Sequence, residues 1–433
     1  MRPTLLAFAL VLLAWLLIIG KELRQRRPEW HWYLTGYPRT ALRVVFTWSK
    51  VAYLNGLTVS RKPTRRVLGD LAVKGDPLRP RAPRISFPRS TPNGLEILVR
   101  LRAGQTPSPF LAAADALAHT WRMHAVRVVS PERGVVLITA TASDPLEHPG
   151  SPAAPEPAAL LSAVVGALET GGAWVMDFRR VPHWLIVGAT QSGKSTLIAR
   201  LITQLAPQPV ALVGIDCKGG MELGLVARRL SALATCRAEA VIVLGALVTD
   251  MQDRMRLCRA SGARSIWDLN EKQRPVPVVV IVDELAELYL TNGSKEQRAE
   301  AEQCSTYLLR LAQLGAALGV HLVVAGQRVG SDLGPGVTAL RAQLSGRICH
   351  RVNDPGTAEM ALGDLNKDAV AVAQSIGEAE QGVAVAVGDM GAWMRSRSRL
   401  TTSTEAQEAA VQFADLTPNV PCLASVAEGG VGA

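Results

Sequence analysis

The sequence predicts an α/β protein whose larger part is a doubly wound domain built on a parallel β-sheet. Beyond about residue 160, helical stretches alternate with short apolar runs rich in β-branched residues: WLIVG, ALVGID, VVVIVDE, HLVVAGQ, GRICHRV and GVAVAV. Runs that are apolar throughout are typical of central parallel strands that helices cover on both faces. We therefore expect this domain to span residues 160–401, with a membrane-associated segment and a smaller α/β module before it.

The uncharged stretch at residues 4–20, TLLAFALVLLAWLLIIG, is near the lower length limit for a helix that crosses a bilayer. The basic sequence KELRQRR follows it directly, whereas a signal peptide carries its positive charges before the apolar run. Because basic flanks remain on the cytoplasmic side, we expect one transmembrane helix with everything after Lys21 inside the cell. This predicts a single-pass protein of the cell membrane whose folded domains are cytoplasmic.

The net charge of +10 belongs to the same end of the chain. Residues 1–66 contain 12 basic and 2 acidic side chains, which accounts for the whole surplus. The charge is therefore no evidence that the rest of the chain binds nucleic acid. Six scattered cysteines without a C-x-x-C pair suit reduced thiols in the cytosol better than disulfides or a zinc site.

Residues 1–60 are predicted to form the membrane anchor. Four aromatic residues resemble an interfacial belt: Trp30, Trp32, Tyr33 and Tyr37. Residues 40–54 are apolar with Arg43 and Lys50 among them. We expect these residues to lie on the membrane surface or to insert shallowly, and a buried N-terminal helix is the alternative.

Residues 61–146 predict a small α/β module. EILVRLR, VRVV and VVLITA are strand candidates, and Ser108 before Pro109 is a favourable helix start. No group of residues here carries chemistry, so a spacer or assembly role is expected. Residues 147–159 predict a proline-rich linker, and residues 402–433 a loose C-terminal tail.

The strongest functional signal is GATQSGKS, which fits the pattern G-x-x-x-x-G-K-[ST] between a strand and a helix. In such a loop backbone N–H groups surround the β-phosphate, Lys194 reaches the β- and γ-phosphates, and the Ser195 hydroxyl binds Mg²⁺. ATP and Mg²⁺ are therefore the expected cofactors. The predicted nucleotide-binding residues are Gly188, Ala189, Thr190, Gln191, Ser192, Gly193, Lys194, Ser195 and Thr196.

Acidic and polar side chains end two further apolar strands. In VVVIVDE, Asp283 is expected to hold Mg²⁺ and Glu284 to polarise the attacking water. A surface acidic pair is the alternative. In HLVVAGQR, Gln327 suits a sensor of the γ-phosphate, or it is only a polar residue at a strand end. An acidic residue directly after the metal-binding Asp favours ATP hydrolysis for work over kinase or GTPase chemistry.

Six segments occur in the order and approximate spacing of the FtsK/SpoIIIE family of DNA translocases: GATQSGKS, IDCKGGMELG, MQDRMRLC, VVVIVDE, ALGVHLVVAGQR and LSGRICHRV. The chain resembles that family, in particular the FtsK-like transfer proteins of actinomycete plasmids and integrative conjugative elements. The resemblance implies a RecA-like P-loop motor that forms a hexamer, threads double-stranded DNA through a central pore and hydrolyses ATP at subunit interfaces. It also implies that Arg347 completes the site of the neighbouring subunit.

The sequence departs from the family's pattern at several loop positions. Gly326 and Val329 replace the threonine and proline of ATQRP, Cys217 replaces the proline of DPK, and Gln191 stands where glycine is common. Residues 402–433 are too short for the winged-helix module of the chromosomal translocases. An accessory DNA-recognition protein is therefore expected to supply any origin specificity. Candidates for DNA contact are Arg254, Arg256, Arg264 and residues 328–341.

These observations predict a membrane-anchored, ATP-driven translocase of double-stranded DNA that serves conjugative transfer. A chromosome-segregation pump and a coupling protein for single-stranded DNA are the alternatives with the same motor type. A membrane scaffold whose nucleotide site only switches its assembly is the alternative from another class. The intact Lys194, Asp283 and Glu284 argue against that scaffold.

Overall fold

The computed structural model describes residues 32–59, 80–91, 93–147, 159–363, 365, 367–388 and 393–423. The chain divides into two compact units, Met1–Pro145 and Leu146–Ala433. The predicted transmembrane stretch at residues 4–20, Trp30 and most of the predicted linker lie outside the described residues. Within the described ranges, no helix is long and apolar enough to cross a membrane.

The first unit is a five-stranded antiparallel sheet with helices on one face. A π-helical turn (Trp32–Gly36) precedes its helices, which are α1 (Tyr37–Leu54), α2 (Ser108–Ala112) and α3 (Ala114–Trp121). Its strands are β1 (Arg84–Ile85), β2 (Arg89–Thr91), β3 (Gly94–Arg100), β4 (Ala125–Glu132) and β5 (Val135–Thr141). The order is β1-β3-β5-β4, with β2 also paired to β3. The three predicted strands and the helix start at Ser108 are therefore confirmed.

Residues 40–54 belong to this unit and not to a separate anchor. One face of α1 buries Val44, Trp48 and Val51 in the core, and the Trp48 indole N–H donates to the carbonyl of Pro83 at 2.9 Å. Trp32, predicted for the aromatic belt, is also buried, and its indole N–H donates to backbone carbonyls beside β3. The buried-helix alternative thus accounts for one face of α1. The opposite face is exposed.

The second unit is built on a ten-stranded sheet in the order β10-β9-β11-β12-β8-β13-β14-β15-β6-β7. Its strands are β6 (Ser162–Leu168), β7 (Ala173–Asp177), β8 (His183–Val187), β9 (Ala211–Ile215), β10 (Ala232–Ala234), β11 (Val278–Val282), β12 (Val320–Gly326), β13 (Gly346–His350), β14 (Val383–Val387) and β15 (Trp393–Ser398). The six strands from β10 to β13 in that order are parallel, as expected.

Helices cover both faces of this sheet and enclose two hydrophobic clusters, one on each side. They are α4 (Lys194–Leu205), α5 (Arg237–Ala260), α6 (Ala286–Tyr289), α7 (Lys295–Leu318), α8 (Val337–Gln343), α9 (Pro355–Leu362), α10 (Lys367–Gln374) and α11 (Ser403–Gln412). Short 3₁₀ turns lie at Leu223–Arg229, Ile266–Asp268, Ser331–Leu333 and Ala414–Leu416. The doubly wound prediction is confirmed for this part of the sheet.

Two sequence predictions need correction. GVAVAV forms β14, but β14 runs antiparallel to β13, and β15, β6 and β7 continue the antiparallel part. An apolar run shows that a strand is buried on both faces, but it does not encode the direction of the strand. Residues 402–423 are not a loose tail either. Thr402 and Glu405 form a capping box at the start of α11, which buries Ala406 and Ala410.

Candidate nucleotide-binding site

The P-loop connects the end of β8 to the start of α4 at Lys194, as predicted. Gly193 has φ of 114°, and a Cβ atom there would lie 2.7 Å from the Cα atom of Gly382, so only glycine fits. Gln191 is also left-handed, with φ of 60°. Glycine adopts this conformation at a lower energetic cost than glutamine, which explains why glycine is common at this position in the family.

The Lys194 side chain folds back over the loop. Its ammonium group donates to the carbonyl of Gly188 and, at 3.2 Å, to that of Ala189. Burial lowers the pKa of Lys194, and the nearby carboxylates of Glu284 and Asp283 oppose that effect. The two hydrogen bonds hold the Lys194 ammonium group against the P-loop, where the phosphates of a nucleotide bind.

Asp283 and Glu284 follow β11 and are buried, with 8% and 7% of their surfaces exposed. This excludes the alternative of a surface acidic pair. Burial raises the pKa of Asp283, whereas Lys218 acts to lower it. The backbone N–H of Gln327 donates to the Glu284 carboxylate at 3.1 Å, and the Gln327 side chain is exposed beside it. The loops after β11 and β12 thus bring the predicted base and sensor together.

Lys218 is a site residue that the sequence prediction missed. Its ammonium group lies 3.6 Å from an oxygen of Asp283 and 3.6 Å from an oxygen of Glu284. Burial would lower the pKa of Lys218, but the carboxylates of Asp283, Glu284 and Glu287 outweigh it and raise the pKa. The lysine therefore remains charged.

A turn after β9 places Lys218. The buried Asp216 carboxylate accepts backbone N–H groups from Lys218 at 3.3 Å, Glu222 at 2.8 Å and Leu223 at 3.0 Å. The residues D-x-K-G-G within IDCKGGMELG are typical of a turn. This pattern could not show that the turn projects its lysine towards the end of β11, because that depends on the pairing of β9 with β11.

A cavity of about 840 Å³ joins these groups. Its lining includes Lys194, Ser195, Asp283, Glu284 and Gln327. On the antiparallel side of the sheet the lining includes Val164, Gly166, Gln381, Arg397, Arg399 and Leu400, none of which the sequence prediction named. The dense basic run WMRSRSRL was the available signal.

The residues present fit a magnesium ion bound together with a nucleotide. Ser195 is exposed at the start of α4 and shares the cavity with the Asp283 carboxylate, and both supply oxygen, the donor that Mg²⁺ prefers. The Lys218 ammonium group beside Asp283 shows that this position favours a cation. Among the described residues no group of three or more His, Cys, Asp or Glu side chains could hold a metal. Phosphate oxygens of the nucleotide and water would complete the coordination of Mg²⁺.

Arg347 is not among the residues that line this cavity, so its predicted role in a neighbouring site stays a prediction. Only 4% of its surface is exposed, and its guanidinium group donates to the carbonyls of Arg341 and, at 3.4 Å, Ala361 of its own subunit. Arg347 lies on β13, an interior strand, and its side chain is packed between elements of its own chain. Arg351 instead contacts the P-loop, donating to the carbonyl of Thr190 at 3.2 Å.

Arg254 is likewise removed from the candidates for DNA contact. Only 4% of it is exposed, and it donates to the carbonyls of Leu318 and Val276, each at 2.9 Å. It also pairs with Asp250 at 2.6 Å. These hydrogen bonds connect α5 to the end of α7 and to the segment before β11.

Two family models and several known proteins are similar to this chain in sequence. Residues 20–142 match the actinomycete conjugal transfer protein N-terminal domain, and residues 153–331 match the FtsK/SpoIIIE family. Transfer protein TraSA of Streptomyces ambofaciens is 43% identical over 395 residues, covering 89% of this chain and 94% of TraSA. The chain belongs to the FtsK/SpoIIIE family. Within this family its N-terminal unit is of the conjugal transfer type.

More distant relatives share the second unit or the fold. DNA translocase FtsK of Campylobacter jejuni is 30% identical over 223 residues, which is 48% of this FtsK/SpoIIIE member and 22% of that protein. The structure of the pCW3 conjugation coupling protein TcpA, monomer form with ATPγS, has a TM-score of 0.55 and 22% identity. It covers 77% of this chain and 93% of TcpA. Family membership, fold and P-loop together establish a P-loop ATPase.

Proposed function

We propose that this ATPase is a membrane-anchored motor that moves double-stranded DNA during conjugative transfer of a plasmid or integrative element. The observation that carries the proposal is the match to TraSA, which includes both units and 94% of that transfer protein. The match of residues 20–142 to a conjugal transfer domain favours transfer over chromosome segregation. Membrane anchoring rests on the uncharged stretch at residues 4–20 and its basic flank, with the motor on the cytoplasmic side.

The geometry supports ATP hydrolysis by named groups. The P-loop N–H groups and Lys194 would hold the phosphates, and Glu284, oriented by the Gln327 N–H group, would accept the proton of the attacking water. Mg²⁺, bound through Ser195 and Asp283 when the nucleotide enters, would neutralise charge on the phosphates. Lys218 would move away from the carboxylates as that second cation arrives.

Double-stranded DNA as the cargo, a hexameric ring and an accessory DNA-recognition protein belong to the proposal through the family resemblance. In a ring, Arg347 would have to leave its buried position to complete the site of a neighbouring subunit. Single-particle imaging of the full chain with Glu284→Gln, ATP and duplex DNA tests the ring. Particles that stay monomeric under these conditions would count against it.

The cargo is tested with the full chain in lipid nanodiscs, by measuring ATP hydrolysis with long duplex DNA and with a single strand of the same length. Duplex should raise turnover several-fold and should drive displacement of a triplex-forming strand, and Lys194→Ala should abolish both effects. Stimulation by single strands alone would identify a coupling protein for single-stranded DNA. No stimulation by either DNA would favour the scaffold. Mating assays separate transfer from segregation, because a segregation pump would leave plasmid transfer intact when deleted.

A further inference from the structure

Helix α1 is apolar on two opposite faces, and its own unit covers one of them. The inner face, with Val44, Trp48 and Val51, is buried against the sheet. The outer face is formed by Leu42 (55% exposed), Val45 (44%), Phe46 (80%), Tyr53 (60%) and Leu54 (69%). A surface helix of a soluble domain is normally polar on the side away from the core. Exposed Ser49 lies among these residues, but an exposed apolar set of this size still marks an interaction surface.

The charged residues of α1 itself are all basic. Residues 32–59 contain the basic residues Arg39, Arg43 and Lys50 and no acidic residue. Arg39 and Lys50 are exposed, whereas Arg43 donates to the carbonyl of Trp121 at 2.7 Å. Lysine and arginine can lay their apolar stems along such a face while their charged ends reach lipid headgroups. Apolar and basic groups without acidic ones fit an anionic membrane surface.

The chain also limits how far α1 can lie from a membrane. Only residues 21–31 separate Gly20, the end of the uncharged stretch, from Trp32, where the described residues begin. At about 3.3–3.6 Å per residue, this connection spans at most roughly 40 Å even when fully extended. If residues 4–20 cross the bilayer, Trp32 lies within that distance of the cytoplasmic headgroups, and α1 begins one short turn later at Tyr37.

We propose that the outer face of α1 lies in the headgroup region of an anionic membrane and holds the first unit against the cytoplasmic leaflet. This rests on the proposed membrane anchoring, and it adds a second, non-spanning contact that fixes the orientation of the unit. α1 thus serves as a core helix on one face and as a membrane contact on the other. The competing occupants of the outer face are residues 1–31 of the same chain and a second copy.

The test uses the full chain reconstituted into vesicles of phosphatidylglycerol and phosphatidylethanolamine, with an environment-sensitive fluorescent amino acid in place of Phe46. The matched control carries the probe at Val129, which is 43% exposed. Val129 follows the buried Val128 on β4, so it lies on the opposite face of the sheet. At position 46 we expect a blue-shifted emission and at least about a twofold loss of intensity with lipids brominated near the headgroup. At position 129 we expect neither.

Flotation of the vesicles separates this inference from the proposed function. Protein that floats with the vesicles but shows no quenching at position 46 overturns the contact and leaves the anchor intact. Protein that does not float overturns the anchor itself. Vesicles of phosphatidylcholine alone should reduce the quenching at position 46, because the basic residues then lose their anionic partners.

Photo-crosslinking identifies the occupant directly. A benzophenone amino acid at position 46 should form adducts with lipid, detected by mass spectrometry of the peptide that contains α1. Adducts with residues 1–31 of the same chain, or a covalent dimer, overturn the proposal in favour of those occupants. The exposure of Phe46 makes the substitution compatible with folding, and unchanged basal ATP hydrolysis checks this.

Discussion

The ammonium group of Lys218 lies 3.6 Å from a carboxylate oxygen of Asp283 and 3.6 Å from one of Glu284. The two carboxylates are buried, whereas 39% of the Lys218 side chain is exposed. Lys218, with Lys194 nearby, therefore offsets the charge of two acidic groups in the site without nucleotide. Since a buried charge without a partner is costly, this contact prepares the site for a second cation.

Replacing Lys218 with Met should destabilise the protein without nucleotide more than the protein with it. We expect a loss of about 1 kcal/mol in the free energy of unfolding, because solvent screens a lysine this exposed. Thermal unfolding with and without Mg²⁺ and ATPγS measures the difference, and Lys218→Arg is the control that keeps the charge. An equal loss in both conditions would show that the lysine does not act by balancing the carboxylates.

Replacing Glu284 with Gln should remove the base and keep the shape of the site. ATP turnover should fall by roughly 10²–10⁴-fold, whereas binding of ATPγS should remain within about twofold of the unchanged protein. Glu287→Gln is the matched control, because Glu287 is a partly buried glutamate on the adjoining helix α6. Turnover of Glu284→Gln that matches this control would assign the base to another residue.

Replacing Arg347 with Ala should act on folding within one subunit. Loss of the guanidinium group removes its hydrogen bonds to the carbonyls of Arg341 and Ala361 and leaves a cavity in the core, so we expect a decrease of about 2–4 kcal/mol in the free energy of unfolding. In mixed assemblies, ATP hydrolysis should fall in proportion to the fraction of the variant. A stable variant that inactivates its neighbours would restore the role across an interface that the family resemblance implies.

Three buried histidines should make stability depend on pH. Burial lowers the pKa of His183 to about 4, of His321 to about 3 and of His350 to about 4. In the unfolded chain these groups titrate near pH 6.5, so the unfolded state takes up protons first as the pH falls. Stability should therefore decrease from about pH 6.5 to about pH 4. At pH 5, protonation of each histidine in the unfolded chain lowers the free energy of unfolding by roughly 2 kcal/mol.

Chemical denaturation at pH 7.5 and pH 5.0 checks this dependence. His321→Phe should reduce the difference in the free energy of unfolding between the two pH values. The control is His119→Gln, which replaces an exposed histidine on α3 and should leave the difference unchanged. Equal differences in all three proteins would assign the pH dependence to carboxylates.

Local sequence patterns were sufficient to identify the P-loop and the two carboxylates of the nucleotide site. The P-loop, Asp283 and Glu284 occur at the carboxyl ends of apolar strands, and parallel strands bring their carboxyl ends to one edge of a sheet. Strand β3 and the helix near Ser108 were predictable for a similar reason, because both signals lie in neighbouring residues. However, β3 begins two residues before the predicted EILVRLR, and Pro107 rather than Ser108 is the N-cap residue. Gln327 was predicted as a sensor of the γ-phosphate, which stays a prediction; the structure shows its backbone N–H group donating to Glu284.

The sequence by itself determined the P-loop ATPase, the alternation of strands and helices and the resemblance to FtsK/SpoIIIE proteins. Only the tertiary structure decided the partners of residues distant in sequence. It placed Lys218 between two carboxylates and Arg347 inside its own subunit. It also showed that β14 runs antiparallel to β13 and that one face of α1 is buried in the core of its unit. The physical reason is that burial and charge compensation depend on which elements pack together. A local pattern, such as an apolar run or a single basic residue, does not specify which distant residues it will contact.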